Sequence, residues 1–310
     1  MSSSGLDMSV KTVREILRTK DAAKIFSSKG VNAIARGEFG LLLDVADRYS
    51  DVLGDVFSVK DVFQECYKAL RSDYKFEYYI KNLIAEKILI GRYSLNTATL
   101  LNEFRVGSNK ADCVVLNGIS TCYEIKSEFD GLSRLSDQLS SYLKVFDKVN
   151  VVVSEAHVAK VKKLAPASVG ILKLSRRDGF TEVRPAQQSV ESVDVNMLMA
   201  SLRRHEYLAL VKKLYGAVPL AANTKIYDEC QSMLEAVEPL KLRRAFCAIL
   251  KATRKIDKRY LEGLPRSLLV AGIEYRVSAG DKIKLLDNLN IQFSKETLCI
   301  TQFLRQSGTS

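Results

Sequence analysis

The stretch NEFRVGSNKADCVVLNGISTCYEIKSEFDGLSRLSDQLSSYLK, Asn102 to Lys144, decides how the rest of the chain is read. Two β-patterned runs, Ala111 to Leu116 and Ser120 to Ser127, flank Asn117-Gly118. Both residues of such a pair tolerate the positive φ of a tight turn, so the spacing predicts a hairpin. Asp112 opens the first run and Glu124-Ile125-Lys126 closes the second. A period of two puts Glu124 and Lys126 on one face, Tyr123 and Ile125 on the other. Acids and a lysine inside apolar strands are costly unless mutual pairing or a ligand offsets their desolvation. The bland alternative is a solvated hairpin, on which Glu and Lys two apart simply face water.

Register decides whether these groups can meet. A two-residue loop pairs Leu116 with Ile119 and sets Asp112 against Tyr123, on the wrong face. A three-residue loop pairs Leu116 with Ser120 and sets Asp112 against Glu124. Carboxylates held close repel unless a cation sits between them, and hard oxygen ligands suit Mg²⁺ or Mn²⁺. A neighbouring lysine can orient an attacking water and hold charge on a phosphate.

In this order the residues resemble the PD-(D/E)xK nuclease superfamily, in a poorly characterised bacterial and phage-associated branch. Asp112 stands at the "D" position, with Ala111 where a proline is usual, and Glu124-x-Lys126 supplies "ExK". Gln138 and Tyr142 match a Q-x3-Y spacing found in several branches, and residues four apart share a helix face. Glu103 matches an extra acid ahead of the hairpin. The resemblance covers roughly residues 80 to 175. It implies an α/β fold with a restriction-endonuclease-like core, a mixed sheet with flanking helices, between helical N- and C-terminal regions. It implies a Mg²⁺- or Mn²⁺-dependent nuclease. Asp112, Glu124 and the carbonyl of Ile125 would hold the metal and Lys126 would position water. Glu103 would support metal or water, and Gln138 and Tyr142 would orient Lys126 or the scissile phosphate. DNA comes first as substrate, with RNA open, and phage or mobile-element conflict is the implied setting. The alternative is a nucleic-acid-binding protein that kept the fold without cutting; a third reading is a protein that only binds a partner.

Charge points the same way. The chain of 310 residues carries a net +11 with pI near 9.3, which favours a polyanionic partner, nucleic acid first. Between Arg203 and Arg266 there are 14 Lys/Arg against 7 Asp/Glu, or +7 of that excess. A helix Lys241–Tyr260 is expected there. Its apolar stripe would leave Arg243, Arg244, Lys251, Arg254, Lys255, Lys258 and Arg259 outward for phosphates. Six scattered cysteines without a Cys-x2-Cys pair read as reduced core residues. No apolar run is long enough for a bilayer and no secretory signal is visible, so a cytoplasmic protein is expected. His157 and His205 are too few and too far apart for a histidine-based nuclease site, and no phosphate-loop motif occurs.

The linear division is residues 1–75, helical; 76–185, the nuclease core; 186–266, basic and helical; and 267–310, a mixed tail with a small β-rich cap. Helices are expected at Val10 to Leu17, Ala22 to Phe26, Phe39 to Tyr49 and Val59 to Arg71, the last capped by Ser58. A helix-turn-helix reading of 27–40 is open. Val149 to Val153 reads as a strand buried on both faces. Pro185 to Ser192 reads as a linker, and QSGTS as a mobile end. Whether the protein self-associates or takes a partner protein is left open.

Overall fold

The hairpin becomes the middle of a six-stranded sheet. The computed structural model describes residues 18–72, 77–175 and 178–298. The helix expected at 10–17 and the QSGTS end lie outside them. Strands β1 Thr99–Val106, β2 Asn109–Leu116, β3 Ser120–Lys126, β4 Lys148–Val153, β5 Gly170–Leu174 and β6 Phe180–Arg184 lie side by side in sequence order. The pairs β1–β2, β2–β3 and β5–β6 are antiparallel, while β3–β4 and β4–β5 are parallel. Parallel neighbours need a crossover. Helix α1, Leu135–Leu143, supplies the first and α2, Val158–Leu164, the second. The fold is therefore α/β with a mixed sheet and flanking helices.

One face of the sheet is covered by α1 and, farther along the chain, by α3 Val195–Ala200, α4 Arg204–Tyr215, α5 Ile226–Glu235 and α6 Pro239–Thr253. Val114, Leu116, Cys122, Val149, Val151 and Val153 meet Leu139, Tyr142 and Phe146 there, together with Leu242, Phe246 and Leu250. Phe104 stands edge-on to both Phe146 and Phe246, with ring centroids at 5.8 and 6.3 Å. Residues 149–153 are all buried, as a strand covered on both faces requires.

Residues 185–192 are not a linker but a strap. The Ser189 N–H donates to the Asp147 carbonyl at 2.7 Å, and Gln188 Nε2 to Asp147 Oδ1 at 2.8 Å. Asp147 is fully buried and also takes the Ser120 N–H and hydroxyl, both at 2.7 Å. Polar composition looks like a linker because the partners of these donors sit forty residues away and are invisible locally.

Where the strap passes β5, Gly170 has no room for a side chain. A Cβ there would lie 2.1 Å from Asn150 Oδ1 and 2.8 Å from both Ala186 Cβ and its backbone nitrogen. Gly170→Ala should therefore cost about 1–3 kcal/mol, the usual range for overpacking. Chemical denaturation reads this as a lower midpoint at unchanged slope. An unchanged midpoint would mean the strap is not held where the hydrogen bonds put it.

The chain forms two compact units, Leu83–Ile256 around the sheet and a second from residues up to Asn82 together with those from Asp257 on. The second unit is helical, with residues 18–25, Ser28–Ala35, Gly40–Arg48, Val59–Ser72, Lys258–Gly263, Leu269–Glu274 and Ala279–Asn288. A short ribbon pairs Val56–Ser58 with Gln292–Ser294. The Ser58 cap forms as expected: the Asp61 N–H donates to Ser58 Oγ at 3.2 Å and the Ser58 N–H to Asp61 Oδ2 at 2.8 Å. The described part of 267–310 is mostly helical rather than a β-rich cap. Ser278 accepts the Asp281 N–H and so starts a helix that the mixed composition hides.

The expected helix Lys241–Tyr260 is two helices, Pro239–Thr253 and Lys258–Gly263, assigned to different units. Arg254 leaves helical geometry at φ −110°, ψ 61°, and Asp257 caps the next helix by accepting the Tyr260 N–H at 3.2 Å. Cys66, Cys113, Cys122, Cys230 and Cys247 are buried and form no disulfide among the described residues, and Cys299 lies outside them. Among the described residues no helix is long and apolar enough to cross a membrane.

Candidate functional site

The hairpin takes the three-residue loop. Leu116 pairs with Ser120 and Cys113 with Tyr123, and Gly118 carries φ 103° in the turn. Carried one step further, this register sets Asp112 opposite Glu124. On the other side, Asn102 pairs with Cys113 and Phe104 with Ala111, so Glu103 stands opposite Asp112. Three neighbouring strands thus place an acid on the same rung. Directly opposed side chains lie on one face of a sheet.

The rung is also where the ladder opens. Neither the 103–112 nor the 112–124 pair keeps regular pairing. Glu103 has φ 53°, left-handed backbone that a non-glycine residue rarely adopts and that is found at functional sites. Asp112 Oδ2 accepts the Ile125 N–H at 2.6 Å, replacing the lost strand contact. Carboxylate oxygens of Glu103 and Asp112 come within 4.8 Å of each other.

Glu124 and Lys126 lie on one face, as the period of two requires. Lys126 Nζ donates to Glu124 Oε1 at 2.7 Å, with the glutamate 1% and the lysine 8% exposed. Burial pushes the Glu124 carboxyl above its usual range, against the pull of Lys126, Tyr142 and Gln138. Burial, and then the charge of Glu124, push the Tyr142 hydroxyl far above its usual range, so it stays protonated and donates. That hydroxyl lies 3.0 Å from Glu124 Oε2 and 2.9 Å from the Lys110 carbonyl oxygen, so one proton serves two acceptors.

Helix α1 carries Gln138 and Tyr142 one turn apart; the Tyr142 hydroxyl donates to Glu124, and Gln138 lies close enough to pull its carboxyl down. The resemblance gives this pair the orienting of Lys126 or the scissile phosphate; the bond that Tyr142 makes here is to Glu124, the partner of Lys126. Gln138 Oε1 is buried without a hydrogen-bond partner. The turn between Lys126 and α1 is fixed by Asp130, which takes the Ser127 N–H at 2.7 Å and its hydroxyl at 2.6 Å. Sequence reasoning missed Lys110, whose Nζ pairs with Glu103 Oε2 at 2.7 Å. Its spacing of two from Asp112 on the same strand was the available signal.

The basic residues divide. Arg244 and Lys255 are exposed and Lys251 half-buried in the sheet unit, while Lys258 and Arg259 are exposed in the other unit. Arg243 does not face outward: it is 1% exposed and donates to the Leu143 and Glu191 carbonyls, each at 2.9 Å. Arg254 is also turned inward, forked onto buried Glu206 by two bonds of 2.7 Å and lying 5.1 Å from the Phe104 ring centre. His157 and His205 lie on other elements, α2's approach and α4.

Protein cII of Enterobacteria phage P4 is 26% identical over 159 residues, a match covering 49% of this chain and 58% of that protein. The chain thus spans less than two thirds of that relative. A solved structure, the SPO1766 protein of unknown function from Silicibacter pomeroyi, aligns over 39% of this chain and 82% of its own, at 19% identity and a TM-score of 0.27. The family model described as bacteriophage P4 protein cII matches residues 70–271, which takes in the whole sheet, α1 and the basic helix α6. On that match, the chain belongs to the bacteriophage P4 protein cII family.

Proposed function

We propose that the protein is a metal-dependent nuclease with a restriction-endonuclease-like core, hydrolysing phosphodiester bonds in DNA before RNA. The observation that carries the reading is the rung of Glu103, Asp112 and Glu124, with Lys126 two residues along the same face. A family named for a phage protein agrees with work in phage or mobile-element conflict.

The donors are all oxygen, as a hard divalent cation prefers; the Glu103 and Asp112 carboxylates come within 4.8 Å of each other, and the Gln138 carbonyl oxygen is a buried, unused acceptor. Asp112, Glu124 and the Ile125 carbonyl would hold Mg²⁺ or Mn²⁺. Such an ion, when bound, polarises phosphoryl oxygens and makes water a better nucleophile. Lys126 is the mobile charge of the site: freed from Glu124, its ammonium can position water and hold charge on the phosphate. Tyr142 fixes Glu124, and Lys110 holds Glu103. The second reading, a silent nucleic-acid binder, draws on the same contacts. The pairs Lys126–Glu124 and Lys110–Glu103, each at 2.7 Å, give two acids a cation from the chain itself.

Plasmid, linear and single-stranded DNA and RNA, each with Mg²⁺, Mn²⁺ or EDTA, separate the two. The nuclease reading expects metal-dependent cutting of at least one; binding without cutting on all of them supports the second.

Phosphate contacts are proposed for Arg244, Lys251 and Lys255, with Lys258 and Arg259 on the other unit. Reversing Arg244, Lys251 and Lys255 together should weaken binding across sequences. The salt slope of binding should shrink by roughly one unit per lost phosphate contact. An unchanged slope would make this face merely solvated.

A further inference from the structure

Beside helix α6 lies an open pocket of about 330 Å³ that the proposed cleft does not use, lined by Lys213 and Leu214 of α4 and Glu238, Leu240, Lys241, Arg244 and Ala245 of the α6 start. Lys213, Lys241 and Arg244 make no salt bridge or side-chain hydrogen bond among the described residues. Glu238, held by the Leu240 and Lys241 N–H groups at 2.9 and 2.7 Å, offsets one of these three charges and leaves the lining net positive. Three exposed cations beside the apolar side chains of Leu214, Leu240 and Ala245 suit a compact anion with an apolar part. Arg244 offers a planar fork that matches phosphate oxygens, and two lysines add point charge. The volume suits a small molecule rather than a length of peptide.

We infer that this pocket binds a nucleoside monophosphate, free or as the phosphorylated end of a strand, with the phosphate on Lys213, Lys241 and Arg244 and the base on the apolar floor. Calorimetric titration of the full chain with adenosine monophosphate, adenosine and an acidic leucine-containing peptide tests it. Adenosine monophosphate should bind at least about tenfold more tightly than adenosine, the effect of a charged hydrogen bond or more. Exposed Arg244→Ala and Lys213→Ala should each weaken it about tenfold, with circular dichroism unchanged, while Lys163→Ala on α2 and Asp112→Ala should bind as wild type does. An oligonucleotide with a phosphorylated end that outbinds its hydroxyl-ended twin assigns the strand end; equal binding by that pair assigns the free nucleotide.

The inference fails if adenosine binds as well as its monophosphate, if Arg244→Ala and Lys213→Ala bind normally, or if only the acidic peptide binds. Loss of binding in Asp112→Ala would put the nucleotide in the carboxylate cleft and also sink it. Because no step requires cutting, an inactive enzyme that still binds adenosine monophosphate at Arg244 would overturn the nuclease reading alone.

Discussion

Lys126→Ala is expected to cut at least about 10²-fold more slowly than wild type, the usual loss for a positioned acid–base or charge-holding group. Metal affinity should change little, because the ligands are carboxylates. Asp112→Ala should abolish cutting and also the rise in melting temperature that Mg²⁺ gives wild type. Stability separates chemistry from folding. Removing Lys126 leaves Glu124 buried without its cation, so the Glu124 carboxyl is pushed further upward. A folded-state pKa above the unfolded value of 4.5 gives stability that is full below 4.5 and lost as pH rises through the folded value. Lys126→Ala should therefore lose more melting temperature at pH 8 than at pH 5. Wild-type-like cutting by either variant would remove these residues from the site.

Arg254→Ala is expected to cost about 3–5 kcal/mol, the range for stranding a buried charge. Glu206 is wholly buried and receives Arg254 through two bonds, the Arg203 N–H at 2.7 Å and the Thr253 hydroxyl at 3.1 Å. Burial alone would raise this carboxyl, but those donors together outweigh it and hold it down at about 2. A depressed pKa contributes stability above the unfolded value of 4.5 that is lost as pH falls through about 2. Wild type should thus lose stability on this limb between those values, and Arg254→Ala should lose less there, having less to lose. Adding Glu206→Gln to Arg254→Ala should recover part of the loss, since the amide needs no counter-charge. Urea denaturation at pH 7 and pH 3 reads all three. A cost within 0.5 kcal/mol at pH 7, roughly that of a plain surface substitution, would mean the pair is only a surface contact.

What could be read from the sequence was local. Alternation along 111–116 and 120–127 and an Asn-Gly turn set the hairpin, the faces of Glu124 and Lys126, and the choice between two registers. The structure takes the three-residue loop, in which Leu116 pairs with Ser120. Contacts set by distant residues were not legible. Arg243 sits in the densest basic run, yet its partners are carbonyls of Leu143 and Glu191, so composition placed it on the surface. The break after Thr253 depends on Asp257 acting as a cap inside a run that otherwise continues the helical spacing. Gln138 and Tyr142 were legible as one face of α1, but not the bond from Tyr142 to Glu124, which depends on how α1 lies across β3. Glu103's left-handed backbone has no sequence signal, because glutamate does not favour it.

The central claim is that the rung of Glu103, Asp112 and Glu124, with Lys126, is a metal-dependent hydrolytic site. Its most direct measurement is the cleavage rate of one labelled DNA as Mg²⁺ is titrated, with wild type and Asp112→Asn side by side. Asparagine keeps the size of the side chain and its acceptor for the Ile125 N–H, but removes the charge. A wild-type rate that rises with Mg²⁺, saturates and is abolished by EDTA, beside an Asp112→Asn protein that is folded and silent, is what this account predicts. Equal rates for the two proteins, or a wild-type rate indifferent to Mg²⁺ and EDTA, would contradict it.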